Sequence, residues 1–255
     1  MDKLIHLLDY LIELARYGSS ALRFSDRGNE MLKKMYTLGI YATILELASD
    51  ISFLIKRNCS ISSPIILRSM FEMYIELLYV IHIPHGFDKR FCDSALVCKR
   101  AIKHAAESPD STFDLVRGKR AAKQLAQIDD LLGEKYTESK LLGRCKELDE
   151  KTAFRLEDHY RVTYRLLSLH AHPDYEIITK RHRIDINPNN HSCTFEPKIS
   201  SHDREVHSLK TAEFVCNAIS EIHKFLAIDI PLQVDEKRNE VVEAFNKHPH
   251  PDDQG

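Results

Sequence analysis

One segment of the chain combines an arginine and a histidine at helical spacing, and metal-independent cleavage of RNA requires this pair of side chains. In the sequence HYRVTYRLLSLHAHPDYE, Arg165 and His172 lie close to one face of a predicted helix, with Ser168 between them. Arginine holds a phosphodiester through two parallel hydrogen bonds, and histidine gains or loses a proton near neutral pH. The pair could therefore stabilise the phosphate and move the proton while the 2′-hydroxyl of RNA attacks.

The same helix carries further polar groups and leaves a second interpretation open. Tyr164 lies beside Arg165 and could support it, whereas His170 lies about 140° away from Arg165 around an ideal helix. Whether His170 or His172 is the functional histidine therefore stays open. Histidines are also common near the C-terminal ends of ordinary helices, where they interact with the helix dipole and take no part in catalysis.

A second set of charges lies in an otherwise apolar predicted helix, IILRSMFEMYIELLYVIHI. Arg68, Glu72 and Glu76 follow one another at intervals of four, so they share one side of the helix, and Ser69 lies beside them. Ionised groups in such surroundings cost several kcal/mol each unless they are paired. The stripe therefore either forms a buried structural ion pair or lines a functional cleft, because charges of this kind also concentrate at active sites.

These residues must be positioned by a mostly helical fold, because glycine and proline are scarce. Apolar residues at helical spacing predict helices at about 3–17, 26–55, 65–83, 88–106, 111–132, 152–170, 203–227 and 235–247. The apolar helix at 65–83 is predicted to be central and buried. We predict an all-α bundle of about seven or eight helices, with a small irregular or β-hairpin insertion near 176–200. One helical domain is expected over 1–232, followed by a C-terminal extension at 233–255 that is partly disordered.

The composition is that of an ordinary globular chain and excludes several classes of protein. The 255 residues carry a net charge of -2, which argues against a dedicated duplex-binding module but leaves room for a local basic patch such as 180–183. No uncharged apolar stretch of about 18 residues occurs, so we expect no membrane span, and the N-terminal segment is predicted to be an amphipathic helix. The six cysteines form no CxxC pair, which favours the cytoplasm.

A metal site is the third arrangement that the sequence raises. His159, His170, His172 and Asp174 are close in sequence, and Glu72 could join them in space. No HExxH motif occurs, however, and the chain has neither a glycine-rich phosphate loop nor a GxSxG motif, so we expect neither a metal nor a cofactor. The later histidines, which include His207, lie in or beside the irregular segment and are expected to be solvated.

Two segments together resemble a known family. The segment ISFLIKRNCSISSPIILRSMFEMYIELLYVI, followed about 80 residues later by YRLLSLHAHPD, is similar to the uncharacterised helical DUF5677 family over roughly residues 35–185. The family pattern is Arg-Ser-x-x-Glu on a buried helix, followed later by Tyr-x-x-Leu-Ser-x-x-x-His. In this chain the pattern falls on Arg68, Ser69, Glu72, Tyr164, Leu167, Ser168 and His172.

This family in turn resembles the HEPN superfamily, whose nucleases carry an arginine and a histidine separated by four to six residues. Both Arg165 with His170 and Arg165 with His172 fit that spacing. The resemblance implies an RNA substrate, a homodimer whose two motifs share a cleft, and a toxin or antiphage role, with an antitoxin or other protein as a further partner. The alternative is a non-catalytic interaction module in which Arg68, Glu72, Arg165 and His172 form a buried structural network. A nuclease needs Arg165 and His172 open to solvent, whereas a structural network needs them enclosed.

Overall fold

The computed structural model describes residues 2–20, 27–59, 62–108, 119–132, 136–171, 185–187, 190–192 and 200–246. Its helices are α1 (Asp2–Ser20), α2 (Gly28–Lys56), α3 (Ser62–His82), α4 (Gly86–Glu107), α5 (Lys119–Leu132), α6 (Leu141–Asp149), α7 (Leu156–His159), α8 (Arg165–Ala171), α9 (Ser201–Leu226) and α10 (Leu232–Asn246). A π-helical turn, Tyr160–Tyr164, joins α7 to α8. Strands β1 (Asp185–Asn187) and β2 (Asn190–Ser192) pair as an antiparallel hairpin. The predicted all-α class is confirmed, and the hairpin falls inside the predicted insertion.

Helix α3 is the centre of the bundle, as its apolar sequence predicts. It packs against α2 and α9 along most of its length, and α4, α6 and α8 contact it from the remaining sides. Phe71 and Tyr74 lie with their ring centroids 5.8 and 5.1 Å from that of Phe214 on α9. Burying each such side chain contributes about 2 kcal/mol, so the position of α3 is strongly determined.

Helix α2 is long and apolar enough to cross a membrane by length and composition. Its buried side, which includes Ile44 and Ile51, belongs to the same core as α3 and α9, whereas Glu46 and Asp50 are exposed on the other side. The core helix of a water-soluble domain meets the same criteria. Length and hydropathy therefore do not by themselves assign α2 to a membrane.

The turn between α3 and α4 is tight and depends on a glycine. A Cβ atom at Gly86 would lie 2.3 Å from the backbone carbonyl oxygen of Tyr79. Because both atoms are fixed by the backbone, no side-chain rotation could relieve this clash. His85, at the start of α4, adopts the left-handed conformation with φ of 56°. This close approach brings the first turns of α4 against the C-terminal half of α3.

A buried ionic cluster fixes α4 and α6 to that half of α3. The side chain of Glu76 is only 5% exposed, and both of its oxygens lie within 2.7 Å of Arg90 Nε on α4. Arg144 on α6 donates to the same carboxylate at 2.7 Å, and the Tyr36 hydroxyl on α2 donates to it at 2.6 Å. The polar stripe of α3 therefore divides, and Glu76 serves a structural cluster separate from Arg68 and Glu72.

The second carboxylate of this cluster is Asp93, which forms an ion pair with Arg90. It also accepts hydrogen bonds from the hydroxyl and the backbone N–H of Ser139 and from the Tyr136 hydroxyl. Although burial alone would raise the pKa of Asp93, these hydrogen bonds hold it below the usual range. The negative charges of Glu76 and Asp93 are thus balanced by the positive charges of Arg90 and Arg144.

The C-terminal helix α10 packs on α1 and α9. It buries Val234 and Val241, and its first residue, Leu232, coincides with the end of the predicted domain. The domain boundary itself stays a prediction, and residues 247–255 lie outside the described part of the chain.

Candidate functional site

Three of the predicted site residues meet between α3 and the end of the π-helical turn. The Tyr164 hydroxyl donates to Glu72 Oε1 at 2.8 Å and accepts from Arg68 Nη2 at 2.9 Å. Arg68 Nε also lies 3.3 Å from Glu72 Oε1, and its guanidinium lies 4.9 Å from the centre of the Tyr164 ring. These three residues form a closed polar triad, which we call the Arg68 triad.

The Arg68 triad is accessible to solvent from one side. The side chain of Glu72 is 37% exposed and that of Arg68 is 26% exposed, in contrast to the enclosed Glu76. Burial and the hydrogen bond to Glu72 raise the pKa of Tyr164, so this phenol stays protonated at neutral pH. Tyr164 is therefore suited to orienting its neighbours and unsuited to acting as an acid.

The π-helical turn determines where Tyr164 lies. Tyr160 and Tyr164, at its two ends, stack with ring centroids 4.9 Å apart and an interplanar angle of 16°. Phe71 of α3 contacts Tyr164 on another side, at 5.8 Å between centroids. Single π turns within α-helices occur frequently at functional sites, because the extra residue re-aims a side chain.

The start of α7 is held by a carboxylate from the preceding helix. Asp149, at the end of α6, accepts hydrogen bonds from the backbone N–H groups of Leu156 at 2.6 Å and Glu157 at 2.8 Å. Because α6 is itself attached to α3 through Arg144 and Glu76, this cap connects the buried cluster to the helix of Tyr164. Asp149 lies seven residues before Leu156 and eight before Glu157. A local capping motif in the sequence therefore does not predict this cap.

Replacing Asp149 with alanine is expected to loosen the helix that carries Tyr164. Two backbone donors lose their acceptor, and loss of such a cap costs about 1–2 kcal/mol. Amide hydrogen exchange should therefore accelerate over residues 156–168 while the exchange of α2 stays unchanged. Asp158→Ala, which removes an exposed carboxylate from the same helix, is the matched control. Equal exchange in the two variants would contradict a positioning role for Asp149.

Arg165 directly follows Tyr164 along the chain, and its side chain faces solvent. It is exposed and forms no hydrogen bond or ion pair with any residue that the structure describes. Arg161, one turn earlier, is also exposed but is paired with Glu157, with Nη2 2.6 Å from Oε1. The apolar side chains of Val162 and Leu166 on the same helix are exposed as well. Arg165 is therefore available to an anion, and its surroundings are partly apolar.

The remaining predicted site residues lie farther along the helix of Tyr164 or outside the described part of the chain. Ser168 donates to the backbone carbonyl of Tyr164 at 2.7 Å, within its own helix. His170 is half-buried near the end of α8. His172 lies outside the described residues, as do Asp174 and the basic residues 180–183.

His207 corrects the expectation that the later histidines are solvated. It is only 5% exposed, and its Nδ1 lies 3.1 Å from the hydroxyl oxygen of the equally buried Ser63. Burial lowers its pKa to about 4, and the nearby His170 and His202 act in the same direction. His207 sits in the second turn of α9, a continuous helix, on the side that faces the core.

No group of three or more histidine, cysteine or acidic side chains with metal-binding geometry occurs within the described ranges. His159 instead faces α9, with Nε2 3.9 Å from an oxygen of Glu213. Burial and the nearby Lys210 lower the pKa of His159. The sequence could not reveal this pairing, because Glu213 lies more than 50 residues away.

The comparisons with known proteins give one match. The family model described as a family of unknown function, DUF5677, matches residues 34–191. No curated protein and no solved structure matches the chain. The matched range contains α3, the π-helical turn and α8.

Proposed function

The chain belongs to DUF5677, a family of unknown function, and from that premise we propose that it is a metal-independent endoribonuclease of the HEPN type. Arg165 carries the proposal, because it is an exposed guanidinium without a described partner, and the preceding residue, Tyr164, is fixed by Glu72. A guanidinium that has no ion-pair partner can bind a phosphate without first breaking an ion pair.

The proposed reaction uses one arginine and one histidine. The RNA 2′-oxygen attacks the adjacent phosphorus, the bond to the 5′-oxygen breaks, and a 2′,3′-cyclic phosphate and a 5′-hydroxyl result. Arg165 stabilises the charge that develops on the phosphate. His172 removes the 2′-proton or delivers a proton to the 5′-oxygen, with His170 as the other candidate.

The remaining site residues support this pair. Arg68 and Glu72 position the helix of Arg165 through Tyr164, and Ser168 braces the backbone at Tyr164. Two copies would associate so that their motifs share a cleft, lined in part by Val162 and Leu166. The proposed setting is the cytoplasm, and a toxin or antiphage role rests on the analogy with the superfamily.

A non-catalytic interaction module is the second candidate. The Arg68 triad favours it, because the polar groups of Arg68, Glu72 and Tyr164 are satisfied by one another and need no ligand. In that case the exposed apolar side chains beside Arg165 would contact a partner protein. Arg165 distinguishes the two candidates, because a structural network would enclose it.

Cleavage of RNA by the purified protein in the presence of EDTA tests the proposal. We expect wild type to cleave total RNA or tRNA, and Arg165→Ala to reduce the rate by about 100-fold or more. His172→Ala or His170→Ala should give a similar loss, which identifies the functional histidine. Arg161→Ala is the matched control, since it removes an exposed arginine one turn away and should keep the activity.

Two outcomes would contradict the ribonuclease. The first is an absence of cleavage by wild-type protein, and the second is equal activity of the Arg165→Ala and Arg161→Ala variants. Circular dichroism must show the same helical content in all variants. If wild type is inactive and a protein partner binds the Val162 face, the interaction module replaces the enzyme.

A further inference from the structure

An open cavity lies at the junction of α9 and α10. Its volume is about 480 Å³, which is within the range of small-molecule sites. The last turns of α9, the connecting residues 227–230 and Arg238 of α10 line it. These residues all lie beyond 34–191, the range that matches the family model. The cavity is therefore a feature of this chain outside the part that defines the family.

The wall of the cavity is fixed by the residues at the end of α9. The Nδ1 of His223 donates to the backbone carbonyl oxygen of Asp229 at 3.1 Å, and Ala227 adopts the left-handed conformation with φ of 54°. Burial lowers the pKa of His223, and the nearby Arg238 acts in the same direction, so the ring is uncharged at neutral pH. The cavity thus needs no ligand to form, and His223 adds no charge to it.

Arg238 brings a guanidinium with unused donors to the cavity. Its side chain is 22% exposed and forms an ion pair with Asp235, with Nη2 2.7 Å from Oδ1, and Nη1 donates to the Ser220 hydroxyl. Within the described ranges its buried Nε has no hydrogen-bond partner. A guanidinium has more N–H groups than these two contacts use, and their planar arrangement fits a carboxylate. Arg238 can therefore bind a carboxylate of a ligand while it keeps both contacts.

The two other charged residues of the lining are Lys224 and Asp229, and they differ in their pairing. The Nζ of Lys224 lies 2.9 Å from Oε1 of the buried Glu221, whose other carboxylate oxygen contacts His82. Asp229 is exposed and has no ion pair with any residue that the structure describes. A purely anionic ligand would bring a like charge near Asp229, which costs affinity. A ligand that also carries a positive charge instead gives Asp229 a partner.

We propose that this cavity binds a free α-amino acid with an apolar side chain. The ligand carboxylate binds Arg238, its ammonium group binds Asp229, and its side chain packs against Ile228 and Ile230 of the connecting residues. The C-terminal end of α9 favours a positive charge through the helix dipole, which adds to the attraction of the ammonium group. The described lining contains no residue of the Arg68 triad or of α8, so this inference stands apart from the ribonuclease proposal.

Ligand-observed NMR of the full chain, with L-leucine as the probe, tests the site. Wild type should bind L-leucine saturably with a Kd of about 1 mM. Isocaproate, which is leucine without its ammonium group, and isoamylamine, which is leucine without its carboxylate, should each bind at least about tenfold more weakly. An absence of saturable L-leucine binding up to about 20 mM would overturn the proposal, and so would equal affinity for isocaproate.

Two substitutions separate the two charges of the ligand. Asp229→Asn, at an exposed position, should weaken L-leucine binding about tenfold and leave isocaproate binding no weaker, whereas Arg238→Gln should abolish both. Arg204→Gln is the matched control, because Arg204 of α9 is also paired with one aspartate and has a buried Nε without a described partner, but it does not line the cavity. It should keep the wild-type affinity.

Circular dichroism must show the same helical content in the three variants. If Arg238→Gln loses helix, the Asp229→Asn variant decides the question, since its side chain is exposed. Equal L-leucine affinity of wild type and Asp229→Asn would contradict the proposal, as would retained binding in a folded Arg238→Gln variant.

Discussion

Replacing Glu76 with alanine is expected to destabilise the protein by about 3–5 kcal/mol. The substitution leaves the guanidinium groups of Arg90 and Arg144 buried without their shared carboxylate, and it removes the acceptor of the Tyr36 hydroxyl. An uncompensated buried charge costs far more than the ion pair itself contributes. Chemical denaturation at pH 7 measures the loss as a change in the free energy of unfolding.

Glu72 provides the matched control on the same helix. It lies one turn earlier and is also paired with an arginine, but it is more than a third exposed. Glu72→Ala should therefore cost about 1 kcal/mol or less, as exposed ion pairs do. Similar losses in the two variants would show that the cluster around Glu76 is not buried from water in solution.

Acidification is expected to remove about 3 kcal/mol of stability through His207 alone. Its pKa is about 4 in the folded protein, below the ordinary value of 6.5, because burial disfavours the charged ring. Between these two values the unfolded chain binds a proton that the folded chain does not. Stability is therefore complete above pH 6.5, falls as the pH decreases towards 4, and is not reduced further by this group below that.

The comparison with His207→Asn isolates this contribution. Asparagine can keep a hydrogen bond to Ser63 without taking up a proton. His159 and His223 also have pKa values lowered by burial, so the variant should keep a smaller pH dependence of the same sign. The free energy of unfolding at pH 7 and pH 4.5 should differ by about 2–3 kcal/mol less in the variant than in wild type. An unchanged difference would mean that His207 is solvated.

The sequence could predict the helices and the central position of α3, because both follow from local periodicity and apolar content. It also predicted that Arg68 and Glu72 need a partner, and the structure supplies Tyr164. It could not predict that Glu76, one turn later, serves a different cluster. Arg144 lies 68 residues away, outside the helices that the sequence predicts.

The least predictable part of the site is the geometry around Tyr164. A regular helix was expected over 152–170, and the π-helical turn at Tyr160–Tyr164 interrupts it. No residue in the sequence YRVTY marks such a turn, and the contacts of Tyr164 with Phe71 and Glu72 are with residues more than 90 positions away. The burial of His207 follows from its place within the long helix α9, which its closeness in sequence to the irregular segment does not reveal.

The π-helical turn also bears on how sequences with the same site are aligned. Such a turn holds one residue more than the α-helix that it interrupts, so deleting one residue there restores a regular helix without changing the direction of α7 or α8. The number of residues between Asp149 and Tyr164 can then differ by one among proteins that share the fold. An alignment that forbids a gap within Tyr160–Tyr164 would shift Arg165 out of register between such proteins.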